Sequence, residues 1–382
     1  MTSASGGARM SPSRRLAAVV FAAYRNERAL DIHYRRLNHE CNESLGRLPN
    51  YKPMALLAFR RRFGGLTYVA LIAAAFAIAA WNIIGLIRLV APRRRLVAPA
   101  YMVATVASNR VLIRNAIAQA PESSGAAGGV DLDRTTLIRG LGLRQRFVVI
   151  VAMLRLYRAV MGCSACRLDL GLHTRDAFDI LLLACFADEA DGTIIWTDDH
   201  YQRWAFILSR ARCRLRVAQH GFFDDGIAFP EPFGAIDLLG VRSQRFVGMF
   251  ERYFDVRASF VFGTSTDLDD LGRGPILILA SSAPHIADEI ALLERLRGRI
   301  DLPIAIKLHP AHRYDARREQ LLALADIVCT ADQRPAARLF VSWNSFMEFD
   351  YESAGIPTCS IARCGGAEQA AAQIIERLRP AA

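Results

Sequence analysis

The chain has 382 residues, which is long enough for two domains and an additional segment with a full hydrophobic core, so its stability should not depend on disulfides. Its formal net charge is +11, and because Lys52 and Lys307 are the only lysines, 46 of the 48 basic residues are arginines spread along the whole chain. That excess favours anionic surroundings such as a membrane face or phosphorylated substrates. The usual signatures of RNA-binding and zinc-finger proteins are missing, so we do not expect a nucleic acid partner.

The cysteines and the N-terminal sequence bear on the compartment. The eight cysteines are scattered, and Cys163 and Cys166 have no second pair at the spacing of a zinc site, so we interpret the cysteines as reduced and mostly structural. The apolar run at residues 16–23 is short and follows a polar start that contains arginine, which is not typical of a secretory signal. We therefore expect a cytosolic or cytosol-facing protein.

The N-terminal part of the chain is predicted to be membrane-associated. Residues 1–62 are basic, with helical spacing around residues 17–30, whereas residues 66–87 carry no charge. A stretch of this length matches one bilayer crossing, so we predict a membrane helix within residues 63–90, at the cytoplasmic face of the inner membrane. Arginines flank both ends, so the positive-inside rule does not orient the segment, and a re-entrant or monotopic insertion stays open. The alternative is a buried alanine-rich helix of a globular domain.

Residues 91–144 are predicted to be a helical connector, because a loop rich in Ser, Gly and Ala at residues 121–129 breaks their apolar pattern. From residue 145 onward, short β-branched runs alternate with helical patterns, which predicts parallel sheets built from βα units. Strands are predicted at residues 193–197, 215–219, 275–280, 304–308, 339–341 and 356–361. Helices are predicted at residues 178–186, 204–210, 288–296, 317–325, 346–354 and 368–379.

The predicted fold class is therefore α/β, with two Rossmann-like domains that face a cleft and follow an N-terminal helical membrane-associated segment. A glycine-containing linker at residues 263–274 separates an N-terminal domain, residues 145–262, from a C-terminal domain, residues 263–365. A closing helix is predicted within residues 366–382.

Polar side chains follow several predicted strands where each strand ends, and ligands of open α/β sheets bind outside the carboxyl ends of the strands. Transfer of a sugar from a nucleotide donor requires a base for the acceptor hydroxyl and a group that stabilises the departing phosphate. His220 and the carboxylate pair Asp224-Asp225 are the candidates for the base, and the choice among the three stays open. We assign donor binding to Ser281, Ser282, Lys307, His309, Ser342, Ser345 and Glu348.

These donor-binding candidates suit a phosphorylated nucleotide. His309 is expected to stabilise the leaving phosphate, because an imidazole with a pKa near neutrality can carry a positive charge. Lys307, two residues earlier on the same strand face, adds a second cationic group. Ser342, Ser345 and the start of the helix they precede offer hydroxyls and backbone N–H groups for phosphate. Glu348 is expected to accept hydrogen bonds from ribose hydroxyls.

Each signal also has a structural interpretation. A single histidine after a strand is often a structural side chain, Asp-Asp-Gly is a common turn, and Ser342 and Ser345 can cap a helix. Asp198-Asp199-His200 resembles a metal-binding cluster, but three adjacent polar residues more often form a turn, so we predict no metal site. The ordered recurrence of polar residues at strand ends favours the functional interpretation.

Residues 145–382 resemble the GT-B glycosyltransferases of bacterial surface-polysaccharide synthesis. The motifs that carry this resemblance are Gln219-His220-Gly221, Lys307-Leu308-His309-Pro310, Ser342-Trp343-Asn344-Ser345 with Glu348, and Ala354-Gly355-Ile356-Pro357. The group includes capsule polysaccharide transferases, CDP-glycerol glycerophosphotransferases, and bacterial sialyl- and polysialyltransferases.

The resemblance implies roles for three of these motifs. His309-Pro310 is similar to the motif that contacts the donor phosphate in the sialyltransferases. Asp224-Asp225-Gly226 is similar to their acidic motif, which holds the catalytic base, although here His220-Gly221 occupies the strand end and the carboxylates follow it. A His-Gly pair supplies the presumed base in the CDP-glycerol enzymes, so His220 competes with Asp224 and Asp225.

The resemblance also implies a metal-independent, inverting transfer from a CMP- or CDP-linked donor to a surface-polysaccharide or lipid-linked acceptor. The nucleotide-activated sugar would be a co-substrate, and no resident cofactor is expected. One alternative is a UDP-sugar 2-epimerase of the same fold. The other is a non-catalytic, membrane-bound scaffold that binds a nucleotide or a glycan.

Overall fold

The computed structural model divides the chain into two compact units. Unit 1 holds the described residues up to Arg35 and from residue 62 to Phe262, and unit 2 holds those from Gly263 onward together with residues 36–40. Each unit is built around one parallel sheet, so the α/β class predicted from the sequence is confirmed. The structure describes residues 11–40, 62–87, 98–104, 109–121, 129–163, 174–198, 203–221, 227–263, 268–272, 274–309, 314–330, 333–343 and 345–379.

The sheet of unit 1 has six described strands in the order β2-β1-β3-β4-β6-β8, and every neighbouring pair is parallel. The strand order reverses between β1 and β3, which in a doubly wound sheet marks the crevice where ligands bind. The strands are β1 Ala100–Val103, β2 Val130–Asp131, β3 Ile194–Thr197, β4 Arg214–Ala218, β6 Leu238–Val241 and β8 Ser259–Val261. A separate parallel pair is formed by β5 Ala235–Ile236 and β7 Asp255–Val256.

Helices cover the sheet of unit 1, and they explain why its central strands are buried along most of their length. In β4, the last four of five residues are buried, as expected for a strand covered on both faces. The helices are α1 Pro12–Glu40, α2 Thr67–Ile87, α3 Asn109–Gln119, α4 Arg134–Gly140, α5 Leu143–Gly162, α6 Ala177–Glu189, α7 Arg203–Ser209 and α8 Val247–Glu251.

Two predictions for the first half of the chain are wrong. Residues 91–144 are more than a helical connector, because they supply β1 and β2 to the sheet. The apolar run at residues 146–160 is predicted from the sequence to hold the first strand and helix of a domain, but it forms the middle of the single helix α5. The apolar residues of α5 recur at helical spacing, whereas β1 and β2 are too short for a periodic signal.

The basic N-terminal region contributes the helix α1, which packs into unit 1. Val20 and Tyr24 of α1 have no solvent exposure. Glu27 forms an ion pair of 3.0 Å with Arg203 of α7, and both side chains are nearly buried. One side of α1 is therefore a packing surface, which can be recognised only when its partner helix α7 is known.

The uncharged segment predicted at residues 66–87 forms the helix α2, and one of its sides packs on unit 1. Asn82 is buried and donates hydrogen bonds to the Tyr157 hydroxyl and to the Thr174 carbonyl, at 2.9 and 3.0 Å. A Cβ atom at Gly85 would lie 2.9 Å from the ring of Phe178, so glycine permits this close approach. Among the described residues, no helix combines the length and apolar character needed to cross a membrane, so the predicted membrane helix at residues 63–90 has no support.

The sheet of unit 2 has five described strands in the order β11-β10-β9-β12-β13, all parallel. Numbered along the chain, this is the 3-2-1-4-5 order of a doubly wound sheet, and its switch point lies between β9 and β12. The strands are β9 Leu277–Ser281, β10 Ile304–Leu308, β11 Ile327–Cys329, β12 Leu339–Ser342 and β13 Thr358–Ser360.

The helices of unit 2 follow the predicted pattern closely. Ile290 and Leu293 of α9 pack with Ala370 and Ile374 of α13 in one buried cluster, so the amphipathic faces read from the sequence are core faces. The helices are α9 Ile286–Leu296, α10 Arg317–Ala323, α11 Glu348–Ser353, α12 Ile361–Cys364 and α13 Ala367–Leu378. The closing helix predicted within residues 366–382 is α13.

Candidate functional site

The switch point of unit 2 carries a cavity of about 380 Å³ at the carboxyl ends of β9, β10 and β12. Such a position is the expected ligand crevice of this sheet order. The polar residues that line the cavity are Ser281, Ser282, His285, Lys307, His309 and Ser345. Five of the seven predicted donor-binding residues, His309 among them, therefore line the same cavity.

His309 lines the cavity and follows β10 directly. Its backbone N–H donates a hydrogen bond of 2.9 Å to the Tyr314 hydroxyl, which donates one of 3.0 Å to the carbonyl of Ser281. Tyr314 thus ties the ends of β9 and β10 together and fixes the backbone of His309. The ring remains partly exposed, but the protein around it lowers its pKa by desolvation. An anionic ligand would oppose this effect and favour the charged imidazolium.

His285 is a second histidine of the same cavity, and the sequence analysis missed it. Its ring stacks on Trp343 at 4.2 Å between centroids and 9° between planes. Burial lowers the pKa of His285, against a smaller opposing effect from Asp288. The stack fixes the plane of the imidazole, so its nitrogen atoms are aimed in set directions. The available sequence signal was that His285 also follows a strand end, four residues after Ser281.

Ser281 and Ser282 are held by a buried carboxyl group that the sequence analysis placed only in an amphipathic helix. The Ser281 hydroxyl donates a hydrogen bond of 2.6 Å to Glu289, and the backbone N–H of Ser282 donates one of 2.8 Å to the other oxygen. Glu289 has no solvent exposure, and burial raises its pKa to about 7 in spite of these two hydrogen bonds. Glu289 therefore positions the serine pair at the cavity.

Lys307 is buried, and backbone carbonyls hold its ammonium group. Its Nζ atom donates to the carbonyl of Thr330 at 2.9 Å and to that of Gln333 at 2.6 Å. The residue lines the cavity, whereas Thr330 and Gln333, whose carbonyls hold its ammonium group, are not among the lining residues. Lys307 therefore has a structural function, since it joins the backbone at Thr330 and Gln333. Its contribution of a positive charge to donor binding stays a prediction.

Ser342 and Ser345 organise the turn between β12 and α11. The Ser342 hydroxyl accepts a hydrogen bond of 3.0 Å from the backbone N–H of Ser345, whose own hydroxyl accepts one of 3.2 Å from Met347. This is the capping function weighed as the alternative for both serines. Ser345 lines the cavity, whereas Ser342 is buried behind it.

Glu348 is buried at the start of α11, and both of its oxygens bind Arg363. The guanidinium nitrogens lie 2.7 and 3.1 Å from the two carboxylate oxygens, in a bidentate pair. Such a pair is among the stronger charge-assisted interactions in proteins. Glu348 is not among the lining residues of the cavity, and its assignment to ribose recognition stays a prediction.

His220 lies in unit 1, exposed at the carboxyl end of β4. Its Nδ1 atom is 3.1 Å from the backbone oxygen of Asp198. Since a carbonyl oxygen only accepts, Nδ1 must carry the proton, and Nε2 of the neutral ring then holds a lone pair. This tautomer suits a general base. The competing candidates Asp224 and Asp225 lie outside the described residues.

Buried polar residues support the backbone around His220. Gln219 donates to the carbonyl of Gly221 and accepts from the backbone N–H of Arg242, both at 3.1 Å. Asn109, at the start of α3, donates to the buried carboxylate of Asp198. The Asn109–Asp198 contact joins the segments that follow β1 and β3, so it lies at the switch point of this sheet.

The predicted absence of a metal site is not decided by the structure. In the described ranges, no group of three or more His, Cys, Asp or Glu side chains is arranged to hold a metal ion. Asp199 and His200, which follow Asp198 in the suspected cluster, lie outside those ranges.

The fold and the two strand-end sites define an α/β protein with parallel, doubly wound sheets, consistent with Rossmann-like domains, and with a polar ligand cavity in unit 2. The chain matches no protein-family model and no curated protein sequence.

Proposed function

We propose that this protein is a GT-B-type glycosyltransferase that moves a sugar, or a glycerophosphate-like group, from a CMP- or CDP-linked donor to a surface-polysaccharide or lipid-linked acceptor. The observation that carries the proposal is the cavity at the switch point of unit 2, where two histidines, a lysine and three serines meet at the ends of three strands. Its volume of about 380 Å³ falls in the range of small-molecule sites.

The cavity supplies groups for the leaving nucleotide phosphate. His309 would donate a hydrogen bond to the phosphate oxygen that gains charge as the bond to the sugar breaks. Lys307 would add a positive charge that needs no rearrangement, because two backbone carbonyls already hold its ammonium group. The hydroxyl groups of Ser282 and Ser345 would complete the phosphate contacts, because the backbone N–H groups of these residues already donate to Glu289 and Ser342.

Unit 1 supplies the base in this proposal. Nε2 of His220 would take the proton of the acceptor hydroxyl while the acceptor oxygen attacks the anomeric carbon. The bond from that carbon to the phosphate oxygen breaks on the opposite face, so one displacement inverts the configuration. Asp224 and Asp225 remain the competing candidates for this step.

The experiment that tests the proposal is a donor screen with CMP-, CDP-, UDP- and GDP-activated compounds, each offered with polysaccharide and lipid-linked acceptors. We expect binding and turnover with a cytidine donor only. Binding or hydrolysis of UDP-sugars alone would instead indicate the 2-epimerase. Nucleotide binding without turnover of any donor and acceptor would indicate a scaffold.

The proposed location is the cytoplasmic face of the inner membrane, where a lipid-linked acceptor and a soluble nucleotide donor are both accessible. The arginine-rich composition supports this location, since cytoplasmic leaflets carry anionic lipids.

A further inference from the structure

Helix α5 of unit 1 exposes a line of large apolar side chains. They are Leu143, Phe147, Leu154 and Met161, with exposures between 59% and 81%. Their spacings of four, seven and seven residues place all four on one face of the helix, over a length of about 27 Å. Val149, Leu156 and other residues away from this line are buried against the unit. The exposed line therefore has no partner among the described residues.

Helix α2 and the turn before it expose a second apolar face. Its large members are Phe63, Leu66, Val69, Phe76, Trp81 and Ile84. In helical projection Val69, Phe76 and Ile84 lie close together, and Trp81 flanks them. Asn82 and Gly85, which pack on the protein, lie on the other side of the helix. Single exposed apolar residues are normal on the surface of a soluble protein, but a group of large ones on one helix is typical of an interaction site.

The two helices that carry these apolar faces are in contact. The hydrogen bond from Asn82 of α2 to the hydroxyl of Tyr157 joins the helices. Tyr157 lies one turn from both Leu154 and Met161, so the exposed line of α5 runs beside the contact with α2. We call the two faces together the α2–α5 surface.

The charged side chains that the two helices themselves carry are of one sign. Residues 67–87 of α2 contain no charged side chain, and α5 contains four arginines and no carboxylate. Arg62, Arg144 and Arg158 are exposed beside the apolar residues. An apolar face on helices that carry arginines and no carboxylates is complementary to anionic lipid headgroups above hydrocarbon, and Trp81 is a typical residue of that boundary.

We propose that the α2–α5 surface docks this protein onto the surface of an anionic phospholipid bilayer, with both helices lying in the headgroup region rather than crossing the membrane. The inference deepens the membrane-proximal location of the proposed function but uses none of the transfer chemistry. This proposal assigns a membrane contact to α5, a helix of an α/β unit that was not predicted to contact a membrane.

The test is vesicle co-sedimentation of the full chain, without donor or acceptor, so that its failure says nothing about the transferase proposal. Vesicles of phosphatidylcholine alone are compared with vesicles that also contain phosphatidylglycerol. We expect partitioning at least about tenfold stronger onto the anionic vesicles, and a loss of most of that difference at high salt. Equal partitioning onto both vesicle types, or none onto either, would overturn the proposal.

The double variant Phe147→Ser with Leu154→Ser removes two members of the exposed line on α5. We expect it to fold, because both side chains are solvent-exposed, and to lower partitioning about tenfold or more. The matched control is Val111→Ser with Val328→Ser, since these residues are exposed to a similar degree elsewhere, and it should leave partitioning unchanged. Unchanged partitioning of the α5 variant, with a circular dichroism melt like that of the parent, would contradict the proposal.

A second copy of the chain is the other occupant to be tested. Size-exclusion chromatography with light scattering of the parent and of the α5 variant distinguishes it. A dimer that becomes a monomer in the variant, together with no vesicle binding by the parent, would reassign the surface to self-association and overturn the proposal. A parent that is monomeric and binds anionic vesicles supports it.

Discussion

The Nδ1 atom of His220 lies 3.1 Å from the backbone oxygen of Asp198, and this contact fixes the tautomer on which the proposed base depends. The carbonyl requires a proton on Nδ1, so the basic nitrogen is Nε2. Because β3 and β4 are adjacent and parallel, the residues after the two strands meet at one edge of the sheet.

The first prediction uses two amide substitutions of His220. His220→Asn retains a donor near the Nδ1 position, whereas His220→Gln places its amide near Nε2, and neither is a base. We expect both to lower kcat by about a hundredfold or more, with KM for the acceptor less affected in His220→Asn because the contact with Asp198 is retained. Steady-state kinetics measures this split. Near-parental kcat in both variants, together with an inactive Asp224→Asn or Asp225→Asn, would transfer the role to the carboxylates.

The second prediction concerns the leaving phosphate. His309→Asn should lower kcat by about 10²–10³-fold, because a donor aimed at developing charge is lost. Its free energy of unfolding should change by less than about 0.5 kcal/mol, since the hydrogen bond to Tyr314 uses the backbone of residue 309. Donor turnover and urea unfolding measure the two effects. Parental turnover would remove His309 from the mechanism.

The third prediction concerns Lys307, whose ammonium group donates to the carbonyls of Thr330 and Gln333. Lys307→Met should lower the free energy of unfolding by about 1–3 kcal/mol, because both carbonyls lose this donor inside the protein. Urea unfolding measures it, and His309→Asn is the control in the same cavity. A Lys307→Met protein of parental stability would contradict the structural function given to the lysine.

The fourth prediction concerns the buried carboxyl group of Glu289. Burial raises its pKa in the folded protein to about 7, above the value of an exposed Glu. The folded state therefore holds this proton more tightly, so the contribution to stability is full at acidic pH and is lost as pH rises towards 7. Glu289→Gln should remove this loss, so its stability relative to the parent should rise by up to about 3 kcal/mol between pH 4.5 and 7.5.

Thermal or urea unfolding over that pH range tests the prediction for Glu289. The matched control is Glu294→Gln, on the exposed side of the same helix, which should leave the slope of stability against pH unchanged. Parallel pH profiles for Glu289→Gln and the parent would show that Glu289 does not titrate in this range.

The fifth prediction concerns the bidentate pair of Glu348 and Arg363. Arg363→Gln leaves the buried carboxylate without its guanidinium partner and should cost about 1–3 kcal/mol of unfolding free energy. The double variant with Glu348→Gln should recover much of that loss, which a double-mutant cycle measures. If the double variant also binds the donor as the parent does, the ribose assignment of Glu348 is wrong.

The sequence was most informative in unit 2. The apolar runs predicted as strands correspond to β9, β10, β12 and β13, and the amphipathic patterns to the helices between them. Strands buried on both faces are continuous apolar runs in the sequence. Where such a run ends in Ser281-Ser282 or His309, the polar residues mark the carboxyl end of the strand. The position of the cavity follows from these local signals and the rule of the switch point.

Unit 1 was harder to predict because its partners are distant in the sequence. β1 and β2 are short, and they become strands only by pairing beside β3. Glu27 of α1 meets Arg203 across the unit, and no spacing in the sequence relates these two residues. The sequence therefore indicated a basic helical segment at the N-terminus, but not that one side of its helix packs into unit 1.

The sequence by itself determined the α/β class, most strands and helices of unit 2, and the placing of His220, Lys307 and His309 at strand ends, because these features depend on neighbours within a few residues. Only the tertiary structure decided which group each side chain meets: Asp198 for His220, Glu289 for Ser281, Trp343 for His285 and Arg363 for Glu348. These contacts arise where separate chain segments converge at a sheet edge or in a core. Hydrophobic periodicity indicates which face of a helix or strand is buried, but it does not indicate which polar group of another chain segment a side chain will contact.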